Sequence, residues 1–118
     1  MSIATELSKK HCVPCEKKTD RLPPKQVKTL LSDIPEWKLM HDGGRLRREW
    51  KVKDFLTALD FFRHIGKIAE AEDHHPDLHL EGYRNVAIEL WTHAVEGLTE
   101  NDFIMAAKID ELPVELKK

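Results

Sequence analysis

The sequence predicts an α+β domain in which a four-stranded antiparallel sheet carries three helices packed on one face, in the order α-β-β-α-β-β-α. Three observations predict it. Two pairs of alternating apolar and polar segments are each joined by a glycine turn, at Asp42-Gly43-Gly44 and at Gly82. A long segment with helical periodicity lies between the pairs, and shorter helical patterns precede and follow them.

Residues 1–22 read as a polar, lysine-rich extension containing a Cys12-Val-Pro-Cys15 pair, and the domain is expected over residues 23–118. Pro24 suits a first helical turn, and Val27, Leu30, Leu31 and Ile34 recur at helical spacing, so a helix is expected from Pro24 to Asp33. Trp37 to His41 and Arg45 to Val52 form the first hairpin around the Asp-Gly-Gly turn. Asp54 then caps a long helix whose apolar stripe is Phe55, Leu59, Phe62, Ile65 and Ile68. Pro76 stops it, because a residue before proline is pushed out of the α region.

A third strand is expected over Asp77 to Glu81. The fourth, over Arg84 to His93, alternates Val86, Ile88, Leu90 and Thr92 against Ala87, Glu89, Trp91 and His93. Thr99-Glu-Asn-Asp102 resembles a capping box for a last helix ending near Pro113.

Composition narrows the function. With 118 residues, 41% hydrophobic content and a formal charge of −2, the chain has material for one core and no general attraction for nucleic acid or membranes. No apolar run reaches the roughly 20 residues of a membrane helix, and the start lacks a secretory signal. Two cysteines are too few for a disulfide scaffold, so a cytoplasmic location is expected. Only His11 accompanies the cysteine pair locally, which leaves it short of a four-ligand zinc site.

Four of the seven histidines, His74, His75, His79 and His93, fall within one stretch of the chain. Imidazole exchanges a proton near neutrality, so a cluster of them points to acid–base chemistry or a metal. Glu70 and His74 are four apart on the long helix, close enough for the carboxylate to orient the ring. His75 is held extended by Pro76 and projects elsewhere. His79 turns away from Leu78 and Leu80 and reads as a solvated strand residue without a site role; His41 and His64 have no supporting constellation and are likewise set aside. His93 closes the fourth strand beside Thr92 and Trp91, and Asp102 has a capping role of its own.

Together these residues resemble the pterin-4a-carbinolamine dehydratase family, also known as a dimerisation cofactor of a homeodomain transcription factor. The pattern is matched without a gap: Glu70, three residues, His74-His75-Pro76, six residues, Tyr83, nine residues, His93, eight residues, Asp102. The resemblance covers about Pro24 to Pro113. It implies that His74, His75 and His93 are the catalytic and substrate-contacting histidines, that Asp73, Trp91 and Thr92 line the same pterin pocket, and that Glu70 and Asp102 support them. Trp91 stands where animal members have a small polar residue, and the cysteine-bearing extension lies outside the animal pattern.

The reaction so implied dehydrates a 4a-hydroxytetrahydropterin to a quinonoid dihydropterin in pterin recycling. It is redox-neutral, with neither cofactor nor metal required. His74, oriented by Glu70, and His93 are the expected proton-transfer pair, with His75 positioning the pterin. The rivals are a zinc hydrolase held by the three histidines and a non-catalytic dimerisation or partner-binding module. Exposed sheet edges, together with the resemblance, suggest a homodimer or homotetramer.

Overall fold

A computed structural model describes residues 7–12, 21–40 and 42–118. Helix α1 spans Pro24–Leu31, strand β1 Lys38–Met40, strand β2 Arg45–Lys51, helix α2 Phe55–Glu72, strand β3 Asp77–Glu81, strand β4 Asn85–Leu90 and helix α3 Glu100–Asp110. This is the expected α+β order. Two further helical pieces accompany it, residues 7–9 and a 3-10 turn at His93–Val95. His41 and Cys15 lie outside the described residues.

All strand pairings are antiparallel, in the spatial order β1-β2-β4-β3. The hairpins therefore meet through their second strands, leaving β1 and β3 as edges. Pairing of Leu46 with Leu90 and of Trp50 with Val86, with Ile88 between them, gathers an apolar row on one face of the sheet, interrupted by Arg48, whose guanidinium lies over the Trp50 ring. Ala58, Phe61, Ile65 and Ala69 from α2 and Phe103, Ile104 and Ala107 from α3 pack into the same buried cluster. Trp37, Trp50 and Phe61 meet there edge to face, with ring centres 5.9 and 5.2 Å apart.

Helix α2 begins as its cap predicts. The Asp54 carboxylate accepts from the Thr57 N–H at 2.8 Å and from its hydroxyl at 2.7 Å, and these bonds hold the carboxyl below its usual range. Its buried stripe keeps Ile65 of the expected one, with Phe62 and Ile68 partly buried against the core, but is otherwise rotated. Phe55 and Leu59 remain 47% and 43% exposed, whereas Ala58, Phe61, Ile65 and Ala69 face the sheet. The two alanines let the helix approach closely, so the buried face is centred on small residues that a count of bulky side chains overlooks.

The helix also ends sooner than Pro76 requires. Asp73 takes a left-handed conformation, φ 50°, and caps α2 at Glu72, while the His74 N–H returns to the Ala69 carbonyl at 3.2 Å. β4 likewise ends at Leu90, short of His93. Thr92 pairs with Gly97 across a tight return, its N–H donating to the Gly97 carbonyl at 2.8 Å, and His93 opens the 3-10 turn inside that loop. A Cβ at Gly97 would sit 2.8 Å from the Arg21 side chain, which would have to shift to make room. None of the described helices is long and apolar enough to cross a membrane.

The second sheet face is open and charged. Its centre is Glu89, whose side chain is 9% exposed; Arg45 donates to one carboxylate oxygen at 3.1 Å and Arg47 to the other at 2.5 Å. Burial opposes the charge on Glu89, but the two guanidinium bonds prevail and hold the carboxyl below its usual range. A depressed folded-state value gives stability that is present above the unfolded-state value and lost as pH falls through the folded one. Wild type should therefore exceed Glu89→Gln in stability at neutral pH, with the gap closing on acidification. Denaturant midpoints from pH 7 down to about pH 3 check this; a gap independent of pH would refute it.

Candidate active site

His74 is held by a buried carboxylate. Its Nε2 lies 2.7 Å from Asp102 Oδ1, and the side chains are 11% and 0% exposed. Asp102 sits in the first turn of α3, where its other oxygen accepts the Thr99 N–H at 3.0 Å and the Thr92 hydroxyl at 2.8 Å. The Thr92 and Thr99 hydroxyls also lie 2.9 Å apart. The capping box predicted at Thr99 thus forms, and the carboxylate that closes it is the one that holds the histidine. A carboxylate only accepts, so Nε2 carries the proton in this bond and Nδ1 is the basic nitrogen of the neutral ring.

His75 takes the other carboxylate. Its Nε2 lies 2.6 Å from Glu70 Oε2, with the side chains 58% and 79% exposed. The expected Glu70–His74 pairing is therefore replaced by a Glu70–His75 pairing. Its premise was that the helix continues through His74; the left-handed cap at Asp73 turns His74 out of the i, i+4 row and toward α3. An exposed pair of this kind contributes little stability, and its contact fixes the direction of the ring.

His93 rests on Trp91, with ring centres 3.8 Å apart and planes inclined by 34°. The indole is itself fixed. Its N–H donates to Asp77 Oδ2 at 3.2 Å, and the Arg45 guanidinium lies 4.4 Å from the ring centre while bonded to Glu89. Arg45, Glu89 and Thr99 thus support the candidate site without having been singled out in the sequence. Their signal was legible in part, as alternation in β2 and β4 places Arg45, Arg47 and Glu89 on the face opposite the apolar row.

Three small clusters result: His74–Asp102–Thr92–Thr99, His75–Glu70 and His93–Trp91–Asp77–Arg45. They share one end of the sheet. Asp77 pairs with Glu89, so the start of β3 and the end of β4 lie side by side; His74 and His75 precede the one and Trp91, Thr92 and His93 follow the other. Strand parity separates Thr92, turned toward α3, from Trp91, turned to the open face beside Arg45. Asp73 contributes the backbone turn between α2 and His74.

His79, 45% exposed and 3.9 Å from Glu89, stays with the open-face charges as expected. His64 bonds back to the Asp60 carbonyl on α2. A groove of about 560 Å³ on the open face, lined by residues including Arg47, Lys51, His79, Glu81 and Asn85, lies toward the opposite end of the strands from His74 and His93. Among the described residues, no group of three or more His, Cys, Asp or Glu side chains is arranged to hold a metal ion.

Residues 20–112 match the family model described as pterin 4 alpha carbinolamine dehydratase. Over 113 residues the chain is 54% identical to an Arabidopsis thaliana protein named pterin-4-alpha-carbinolamine dehydratase 2, mitochondrial; the match covers 93% of this chain and 60% of that protein. A Methylococcus capsulatus protein whose name assigns it to the same dehydratases is 42% identical over 112 residues, covering 95% of this chain and 97% of its own length. The crystal structure of a transcriptional coactivator/pterin dehydratase from Brucella melitensis is similar in fold, with a TM-score of 0.71 at 33% identity. That likeness covers 76% of this chain and 95% of the other.

Proposed function

The chain belongs to the pterin-4-alpha-carbinolamine dehydratase family, and from that premise we propose that it dehydrates a 4a-hydroxytetrahydropterin by proton transfer between histidines. The C4a–O bond breaks as the hydroxyl takes a proton from an imidazolium and leaves as water. N5–H gives its proton to a neutral imidazole, and the electron pair so released forms the C4a=N5 bond of the quinonoid dihydropterin. Nothing is oxidised or reduced, and each proton transfer typically contributes about 10²–10⁴-fold.

The observation that carries this reading is the 2.7 Å bond between His74 and the buried Asp102. A fixed Nε2–H leaves Nδ1 as the nitrogen that exchanges a proton with substrate, in one tautomer and one orientation. His93, seated on Trp91, is the second proton-transfer group. His75, directed by Glu70, positions the pterin, with Asp73, Trp91 and Thr92 around it. In this arrangement Asp102 takes over the orienting role expected of Glu70.

An assay on freshly generated 4a-carbinolamine tests the activity. The protein is expected to accelerate dehydration well beyond the spontaneous rate, and a rate equal to the spontaneous one refutes the reading in favour of a partner-binding module. Self-association as a homodimer or homotetramer belongs to the same proposal, supported by edge strands that expose Leu39, Met40 and Leu78. So do the place in pterin recycling and the cytoplasmic location; the mitochondrial designation of the Arabidopsis protein names the competing compartment.

A further inference from the structure

Ahead of the family-matched residues 20–112, residues 7–12 reach the end of α2 and the start of α3, the two places from which His74 and Asp102 come together. Both oxygens of Glu72, the last residue of α2, are engaged there. The Cys12 N–H donates to Oε1 at 2.7 Å and His11 Nδ1 lies 2.9 Å from Oε2, leaving the Glu72 side chain 7% exposed. The Cys12 thiol in turn lies 3.7 Å from the Asn101 carbonyl, so it can donate to the residue preceding Asp102. Cys12 thus ties together the two backbone segments whose side chains form the 2.7 Å bond. One segment reaches His74 two residues after Glu72, and the other reaches Asp102 one residue after Asn101.

The segment is anchored along its length. Leu7 is 1% exposed in the main core, the Ser8 hydroxyl donates to Glu111 at 2.9 Å, and Lys108 donates to the Ser8 carbonyl at 2.8 Å. Burial, and after it the charge of Glu72, pushes the Cys12 thiol up to about 12. It therefore stays in the S–H form that can donate a hydrogen bond, and it lacks the thiolate character of a reactive cysteine.

We propose that residues 7–12 are a positioning strap for the His74–Asp102 pair, and that Glu72 is the positioning residue through which the strap acts. This rests on the reading of His74 as a proton-transfer group. Misplacement of a reacting group by about 1 Å can cost on the order of 10²-fold in rate, so a partial loosening is expected to cost about 10-fold. Binding contacts to the pterin come from other residues, and KM should stay within about 2-fold while kcat falls.

The test compares wild type, Glu72→Ala and Glu72→Gln in the full chain, well below the unfolding midpoint, by steady-state dehydration and by the ¹⁵N resonances of the His74 ring. Glu72→Ala is expected to lower kcat about 10-fold and to shift the His74 ring resonances. Glu72→Gln keeps an oxygen for the Cys12 N–H and should recover most of both. A Glu72→Ala protein with wild-type kcat and unmoved His74 resonances overturns the proposal, even if its melting temperature falls. Should Glu72→Ala fail to fold, Cys12→Pro takes its place, since proline removes both the N–H that Glu72 accepts and the thiol facing the Asn101 carbonyl, and unmoved resonances there overturn it equally. Wild type without dehydratase activity would refute the functional reading alone, since the His74 resonances still report on the strap.

Discussion

His74→Ala is expected to slow single-turnover dehydration by about 10²–10⁴-fold, the loss typical of removing one general acid or base. The ring is 11% exposed and makes its bond from Nε2 to a carboxylate that water does not reach, so a solvent molecule is poorly placed to replace it. Removing it also strips Asp102 of one of its donors, at a cost of about 1–3 kcal/mol for a buried acceptor left unsatisfied. The rate must therefore be read on protein shown to be folded. A His74→Ala enzyme turning over at the wild-type rate would remove His74 from the chemistry. The same measurement on His93→Ala tests its partner, because both halves of the proton exchange are needed to expel water and form the C4a=N5 bond.

Most of the fold was legible because the signals were local. Asp54, the Asp42-Gly43-Gly44 turn, Pro24 and the Thr99–Asp102 box each act within a few residues, and each is found where the sequence put it. What escaped depended on contacts between distant segments. Glu70 and His74 are separated by one helical turn in sequence, but a left-handed Asp73 ends the helix between them and delivers His74 to Asp102, 28 residues onward. Spacing could suggest that a carboxylate orients His74; it could not say which one. The Leu7–Cys12 segment, polar and without periodicity, likewise gave no sign that Leu7 enters the core or that Cys12 closes on Glu72. His93 was expected to close the fourth strand beside Trp91; the strand ends at Leu90, and His93 reaches the indole from the 3-10 turn that follows. Alternation puts Arg45 and Glu89 on the open face, but it takes strand register to pair Arg47 with Glu89 and set Arg45 beside the indole.

Asp102→Asn is expected to cost nearly as much activity as loss of His74, for a reason that the near-identical shape of the two side chains isolates. Asp102 accepts three bonds, from His74 Nε2, the Thr99 N–H and the Thr92 hydroxyl. An amide has one accepting oxygen and a nitrogen that donates. If the oxygen faces His74, the nitrogen confronts the Thr99 N–H, donor against donor, in a site that is 0% exposed. If the amide flips to satisfy Thr99, its nitrogen donates to His74 and forces the other tautomer, placing the ring proton on Nδ1, where the proposed chemistry needs a base. The first outcome destabilises the N-terminus of α3 by about 1–3 kcal/mol, and the second removes the reactive form. Dehydration kinetics alongside the ¹⁵N pattern of the His74 ring separate them. A drop of about 10²-fold or more with the tautomer reversed is the expected result, and full activity with the ring protonated at Nδ1 would show that His74 does not act through that nitrogen.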